Sequence, residues 1–252
     1  MADEAELLAA VLASPDEDAP RLDYAAWCDA LTDPSWTSRG ELIRLQLDGV
    51  GLDRRNPASL SNRQRIQELL DTYGSVWTQG IDAWIDGFLF LRGFVGLIRL
   101  SASNFVNHAD EIHALAPVQH LDLSAVRDVD EALADSAALA KIRTLRMDGC
   151  GLHDLHLQLV ADSPHAANLR WLSVADNHLT IASAEALAAS PHLRDLEFAQ
   201  FRSNPSDPAE QLGLDSGVVV ASWMPPEGED LEARYGYLPW LHREVPVHRF
   251  AE

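Results

Sequence analysis

The chain has 252 residues, and 47% of them are apolar, which is enough for a substantial hydrophobic core. Its 39 acidic residues outnumber its 19 basic ones, and the formal net charge is −20. A surface this acidic repels nucleic-acid phosphates and anionic membranes, so the composition argues against both as partners. The same charge either serves solubility alone or steers a basic protein towards the chain, and the composition leaves these two readings open.

Three of the first six residues are acidic, and this stretch lacks the basic start and apolar centre of a secretory signal peptide. No apolar run approaches the roughly 18 residues that a bilayer-spanning helix needs. The two cysteines, Cys28 and Cys150, lie far apart, and their context does not indicate a disulfide framework. We therefore expect a cytoplasmic protein without a membrane segment.

Residues 1–90 show the spacing of amphipathic helices. Apolar residues at positions 7, 8, 11 and 12 predict a first helix that Ser14-Pro15 ends, and Pro20 begins a second. The third helix is predicted over about 38–47 and the fourth over about 61–73, with a loop between them. Trp77, Trp84 and two phenylalanines then supply bulky apolar surface. We predict a small all-α domain over residues 1–90 that covers the open edge of the adjoining segment.

The next part of the chain is periodic. Five segments share the pattern apolar-x-x-apolar-x-apolar, and they begin at Val95, Val118, Ile142, Leu169 and Leu193. Their starts are separated by intervals of 23, 24, 27 and 24 in the numbering, which is hard to obtain by chance. The sequence between them is helical in composition, over about 107–115, 130–139, 155–161 and 183–189. The period therefore indicates repeating units of one strand and one short helix.

Two of these segments extend the match, because Cys150-x-Leu152 and Asn177-x-Leu179 follow them at the same distance. The extended pattern resembles the leucine-rich repeat, L-x-x-L-x-L-x-x-N/C-x-L, in which a small buried side chain bonds the turning backbone. Cys150 is then most simply such a buried residue. The resemblance implies an α/β fold: a short solenoid over residues 91–202, with parallel strands inside and helices outside. Val126 and Phe201 depart from the pattern, so the second and last turns should differ.

Two motifs near the N-terminus carry a second resemblance. Residues 16–27 read D-E-D-A-P-R-L-D-Y-A-A-W, and residues 39–46 read R-G-E-L-I-R-L-Q. They resemble the bacterial repeat-companion domain, whose pattern is D-D-x-P-R-L-x-Y-A-D-W followed by R-G-E-F-I-R-L-Q. Ala26 replaces an acidic residue of that pattern, Leu42 replaces phenylalanine, and Arg92-Gly-Phe94 matches less specifically. The family implies a repeat-bearing protein without an assigned function, and it implies no catalytic residues.

The pattern breaks after Phe198. Residues 204–215 are typical of a loop, residues 217–222 could add one strand, and residues 231–235 could form a short helix. Tyr237, Trp240 and Leu241 could seal the last repeat. We interpret residues 203–252 as a C-terminal cap.

Alternate side chains of repeat strands point towards the concave face. One predicted column consists of Leu97, His120, Thr144, Trp171 and Asp195. The next consists of Arg99, Asp122, Arg146, Ser173 and Glu197. The alternating charges of the second column either pair with one another or bind a partner. Trp171 is either an interface anchor or is covered by the C-terminal segment.

Motifs that carry catalysis are absent from the sequence: it has no G-x-S-x-G, phosphate-binding loop or dinucleotide fingerprint. His153 and His156 could share a helix face beside the carboxylate of Asp154, but their spacing is loose for a metal site. We therefore expect no enzyme, no cofactor and no metal. The favoured function is a protein-binding scaffold or adaptor. The alternatives are an acidic inhibitor or immunity-type protein for a basic enzyme, and an enzyme with its site between helical domain and repeats.

Overall fold

The computed structural model describes residues 3–49, 57–126, 130–205 and 234. In these ranges it contains eight α-helices, two short 3₁₀ helices and one open sheet of six strands in chain order, so the expected α/β class is confirmed. The chain divides into two compact units. The first comprises Met1–Ile98 and Asp110–Val118, and the second comprises Arg99–Ala109 and Gln119–Ala251.

The first unit carries the four expected helices and two strands. They are α1 Glu4–Ala13, α2 Asp18–Asp29, α3 Pro34–Asp48, α4 Pro57–Trp77, β1 Gly87–Leu91 and β2 Phe94–Leu100, the last of which continues into the second unit. Helix α1 begins with a capping box between Asp3 and Glu6, and α3 begins at Pro34 because Asp33 caps it. Both α3 and α4 begin about four residues earlier than their apolar spacing predicts. β1 lies within residues 1–90, so this stretch is not helical alone.

The core of the first unit forms between α1, α2, α3 and β2. Its fully enclosed residues are Val11, Tyr24, Ala25, Cys28, Ile43 and Phe94. Gly40 allows α3 to lie close to α2, because a Cβ at this position would be 2.9 Å from the carbonyl oxygen of Ala25. Helix pairs that approach this closely are held by dense packing, so the position favours glycine.

The turn between β1 and β2 is contacted by one residue from each of the two motifs that resemble the repeat-companion domain, Arg21 and Gln46. Its two central residues, Arg92 and Gly93, both have positive φ, 52° and 87°, as a type I′ hairpin turn requires. The Gln46 amide clasps this turn: its Nε2 donates to the Phe90 carbonyl oxygen (2.8 Å), and its Oε1 accepts from the Gly93 N–H (2.6 Å). Arg21 Nη1 donates to the Arg92 carbonyl oxygen at 2.9 Å. Each of the two motifs therefore contributes a side chain that holds this turn.

The second unit repeats a strand and a helix. Its strands after β2 are β3 His120–Leu123, β4 Thr144–Arg146, β5 Trp171–Ser173 and β6 Phe198–Gln200. Its helices after α5 (Ala102–Leu115, which contributes residues to both units) are α6 Asp130–Ala134, α7 Asp154–Asp162 and α8 Ile181–Ala189, with 3₁₀ helices at Ala137–Lys141 and Pro164–Asn168. β3 to β6 are parallel, and Leu121, Leu145, Leu172 and Ala199 stand in register. All four are buried, so this side of the strands faces the core.

The register of the last strand differs from the predicted one by three residues. The apolar pattern pairs Leu196 with Leu172, but Ala199 occupies that place, and Phe198 lies beside Trp171. The last repeat therefore matches the pattern as Leu196-x-x-Ala199-x-Phe201-x-x-Asn204. The three repeats that begin at Ile142, Leu169 and Leu196 are then evenly spaced along the chain. Phe201 thus fits the pattern rather than departing from it.

Cys150, Asn177 and Asn204 are buried at equivalent positions and at equal intervals along the chain. Asn177 Nδ2 lies 2.9–3.0 Å from the carbonyl oxygens of Met147, Val174 and Ala175, and its Oδ1 accepts from the Leu152 N–H at 3.0 Å. Asn204 makes the equivalent contacts one unit later, including the Leu179 N–H at 3.0 Å. Cys150 Sγ lies 3.2 Å from the Leu123 carbonyl oxygen. The expected role of Cys150 and Asn177 is confirmed, and Asn204 extends it.

The predicted C-terminal cap lies almost entirely outside the described residues. This holds for the strand at 217–222, for most of the helix at 231–235, and for Tyr237, Trp240 and Leu241. Among the helices of the described ranges, none is both long and apolar enough to cross a bilayer.

Candidate interaction surface

The first row of side chains across β3 to β6 consists of His120, Thr144, Trp171 and Phe198. His120 Nδ1 lies 2.9 Å from Thr144 Oγ1, and the rings of Trp171 and Phe198 are tilted with centroids 4.9 Å apart. Phe198 is fully buried, whereas Trp171 is half-buried. Trp171 therefore packs on Phe198 and remains partly accessible. Its aromatic neighbour is Phe198, which the predicted register instead assigns to a core position on the opposite side of the strand.

The second row consists of Asp122, Arg146, Ser173 and Gln200, and Asp148 joins it from the turn after β4. Arg146 Nε donates to Asp148 Oδ2 at 2.7 Å, and Nη1 lies 3.7 Å from Asp122 Oδ2. Asp148 Oδ1 also accepts from the Ala175 N–H (2.9 Å) and the Ser173 hydroxyl (2.6 Å). The charges of this column therefore pair with one another, which is one of the two predicted readings.

Protonation of Arg146 follows from this pairing. Burial opposes its charged form, but the hydrogen bond to Asp148 and the charges of Asp148 and Asp122 outweigh that effect and raise its pKa. The guanidinium stays charged at any physiological pH. Its side chain is still 46% exposed, compared with 20% for Asp122 and 19% for Asp148. Arg146 is thus the member of this network that solvent, or a partner, reaches most easily.

The predicted site residues separate into three groups. His120, Asp122, Arg146 and Trp171 are at least partly accessible and lie together on one face of the strands, and Arg99 is exposed on β2. Thr144 and Ser173 lie on that face but are buried. Asp195 and Glu197 precede β6 and belong to neither row: Asp195 instead forms an ion pair with Arg170 at 3.0 Å. Phe198 and Gln200 occupy the places predicted for Asp195 and Glu197. We name the accessible set His120, Asp122, Arg146, Trp171 and Gln200 the strand face.

The segment around His153 does not form a metal site. His153 precedes α7 and stacks on His178, with ring centroids 5.1 Å apart. Asp154 lies between the two candidate histidines in sequence, but its carboxylate already binds the next repeat. It accepts hydrogen bonds from the Thr180 N–H (2.8 Å), the Thr180 hydroxyl (2.7 Å) and the Ser183 hydroxyl. Within the described ranges, no group of three or more metal-ligating side chains could hold an ion.

Removing the Asp154 carboxylate should destabilise the protein in a pH-dependent way. Burial raises the pKa of this carboxyl, but the hydrogen bonds from Ser183 and Thr180 outweigh that effect and hold the pKa below its usual value. A depressed folded-state pKa means that the contribution is present above the unfolded pKa and lost as pH falls through the folded one. We expect Asp154→Ala to lower the unfolding free energy by about 1 kcal/mol at pH 7, given partial solvent screening.

Urea denaturation of wild type and Asp154→Ala at pH 7 and at pH 3 measures this contribution. The difference between the two proteins should shrink at pH 3, because the unfolded-state carboxyl, with its ordinary pKa of about 3.9, is then largely protonated and folding must release that proton. Glu131→Ala, an exposed carboxylate of α6, is the matched control. An Asp154 effect that is equal at both pH values would contradict the role of its charge.

Both cysteines are free and buried. Burial raises the pKa of Cys28 to about 12 and that of Cys150 to about 11. Thiols with such pKa values are almost fully protonated at neutral pH, so neither is prepared for nucleophilic or redox chemistry. Cys28 packs in the core of the first unit, and Cys150 bonds the backbone of the second.

Comparison with known proteins adds no relative. No protein-family model matches the sequence, and no curated protein or solved structure is significantly similar to it.

Proposed function

We propose that the chain is a leucine-rich-repeat protein that binds another protein through the strand face. The observation that carries this proposal is the buried column of Cys150, Asn177 and Asn204, evenly spaced along the chain beside strands in parallel register. Strands held in this way present one row of side chains per unit on a rigid support, and repeat proteins use such extended surfaces to bind partners. The periodic N/C position is the specific mark of this repeat.

The chemistry of the strand face supports protein recognition. It combines a half-buried tryptophan, an accessible arginine and paired carboxylates, and Trp and Arg are the residues most enriched in binding hot spots. Contacts within the protein already hold these side chains in place: Arg146 donates a hydrogen bond to Asp148, and the Trp171 ring packs on Phe198. Ordering them on binding therefore costs little entropy, which favours affinity.

The central test replaces Arg146 with alanine. Full-length protein is used to capture partners from lysate of the native cells, and the identified partner is purified for calorimetry. We expect Arg146→Ala to weaken its binding by about tenfold or more, the size typical of an arginine hot spot. Arg194→Ala removes an exposed arginine from outside the strand face and should leave the affinity within about twofold, as expected for a residue outside the interface.

Trp171→Phe provides a second variant that keeps a ring against Phe198 and shortens only the accessible part. It should also weaken binding, while urea denaturation shows a fold close to wild-type stability. If the partner binds both variants with wild-type affinity, the strand face is not its binding site.

The salt dependence of the same association separates an adaptor from an acidic inhibitor of a basic enzyme. Long-range attraction by the net charge of −20 would make the association rate fall steeply with salt. Recognition carried by Trp171 and Arg146 on a face of mixed charge would change the dissociation rate and depend weakly on salt.

A further inference from the structure

Arg39, on α3 in the first unit, is a buried cation: the charge of Glu4 acts on it, but within the described residues no carboxylate forms an ion pair with it. It is only 6% exposed. Its guanidinium carbon lies 4.9–5.0 Å from the ring centroids of Trp77, Phe90 and Phe94, so three aromatic faces surround the charge. Within the same described ranges, its Nη1 has no hydrogen-bond partner. Aromatic rings stabilise a cation but accept no strong hydrogen bond, so this donor remains unsatisfied.

A cavity of about 350 Å³ lies beside this guanidinium, with all of its lining in the first unit. Arg39 and Trp77 both line it, and the Trp77 indole Nε1 is also buried without a hydrogen-bond partner among the described residues. Two residues that each carry an unsatisfied N–H donor therefore line the same cavity. Buried donors in proteins are nearly always satisfied, and paired exceptions beside an empty volume indicate an absent acceptor.

The remaining walls are mainly apolar. Leu8, Trp36 and Ile81 line the cavity, and so do Val76 and Leu115, which are 44% and 45% exposed. Two carboxylates, Glu4 and Asp33, also line it, and Glu4 Oε1 accepts from the Tyr24 hydroxyl at 3.2 Å. A single buried cation with carboxylates nearby suits a monoanion better than a phosphate dianion, because each further negative charge would meet Glu4 and Asp33.

We propose that this cavity binds a carboxylate that carries an apolar group, with the carboxylate on Arg39 and Trp77 and the apolar group against Trp36, Val76 and Leu115. The planar guanidinium matches the two oxygens of a carboxylate, and the bond is strong because both groups are charged. Burial lowers the pKa of Arg39 to about 10, so the side chain is still cationic at pH 7. The volume lies at the lower end of the range for small-ligand sites.

The test uses 3-phenylpropionate as the probe and its neutral amide, 3-phenylpropionamide, as the control, with the full-length protein. The Trp77 indole N–H signal, assigned through Trp77→Phe, is followed by ¹H–¹⁵N NMR during titration. The acid should bind saturably and shift this signal, and the amide should bind at least about tenfold more weakly because it lacks the charge. An N-acetylated dipeptide ending in leucine is titrated in parallel: tighter binding than the small acid identifies a peptide C-terminus as the source of the carboxylate.

Two variants locate the site. Arg39→Lys keeps the charge but loses the planar fork, and it should weaken the acid at least about tenfold. Because Arg39 packs in the core, a variant at the cavity wall provides an independent measurement. Val76→Glu and Val76→Gln remove the same apolar contact, but only the first adds a negative charge, so Val76→Glu should bind the acid about tenfold more weakly than Val76→Gln.

Three results would overturn the proposal: no saturable binding of the acid at millimolar concentration, equal binding of acid and amide, or equal binding to wild type and Val76→Glu. Leu60→Glu places the same charge at an exposed position of α4 that does not line the cavity, and it should bind the acid like wild type.

Discussion

Asn177→Ala is expected to lower the free energy of unfolding by about 3–4 kcal/mol. The substitution removes the acceptor of the Leu152 N–H and the donors that reach the carbonyl oxygens of Met147, Val174 and Ala175. Each buried backbone group left unsatisfied costs roughly 1–3 kcal/mol, and some of these groups will relax towards other partners or water. Because domains are stable by only about 5–15 kcal/mol, this single side chain accounts for a large part of the total.

Equilibrium urea denaturation, followed by far-UV circular dichroism, measures the loss. Asn168→Ala is the matched control, because Asn168 also donates a hydrogen bond to a neighbouring repeat, at the Ala140 carbonyl oxygen. Asn168 is exposed, so loss of this bond should cost only about 1 kcal/mol. Asn177→Cys should recover part of the loss, since Cys150 shows that a thiol is accommodated at this position. An Asn177→Ala effect no larger than that of Asn168→Ala would mean that the buried column is not a main source of stability.

The sequence pattern predicts the buried polar column at Cys150 and Asn177 but misses its third member, Asn204. A search for large apolar residues selects Leu193, Leu196 and Phe198 as the last strand. The true strand has Ala199 where its neighbours have leucine, and a small apolar residue carries little weight in such a search. The polar signal is the better guide, because Asn204 follows Asn177 at the same interval as Asn177 follows Cys150.

The displaced register also explains which of the candidate residues lie on the predicted face of the strands. His120, Asp122, Arg146 and Trp171 belong to units whose predicted register is right, and they share one face. Asp195 and Glu197 are assigned by counting from the wrong residue. Phe198 and Gln200 occupy the positions that the pattern assigns to Asp195 and Glu197. This changes the interpretation of Trp171, because its ring packs on Phe198, whereas the predicted register gives it no aromatic neighbour.

In the first unit, periodicity predicts the helices but not the buried charges. Arg21 and Arg39 are both enclosed, whereas arginine is among the residues least often buried, so composition and spacing place them at the surface. The cause of their burial is tertiary: carbonyl oxygens of Pro15 and Arg92 accept from Arg21, and aromatic rings from α4, β1 and β2 surround Arg39. The cavity beside Arg39 depends on the same long-range packing, so no local pattern indicates it.

Gly93→Ala should strongly destabilise the protein, with an expected loss of about 2–5 kcal/mol in the free energy of unfolding. The residue has φ of 87°, a conformation that costs a side-chain-bearing residue about 1–2 kcal/mol. In addition, a Cβ there would be 2.2 Å from Ile43 Cγ1 and 2.7 Å from Ile43 Cα. The second of these atoms belongs to the backbone of α3, so no rotamer change relieves the overlap, and overpacking of this kind typically costs about 1–3 kcal/mol more.

Gly149→Ala separates the two contributions. Gly149 also has positive φ, 64°, but a Cβ there would meet no atom within 4 Å, so only the conformational cost of about 1–2 kcal/mol should appear. The difference between the two substitutions in urea denaturation then measures how tightly the turn is held against Ile43. If both cost the same, the turn moves away from α3 at little expense. In that case Gln46 and Arg21 would not fix it as their hydrogen bonds indicate.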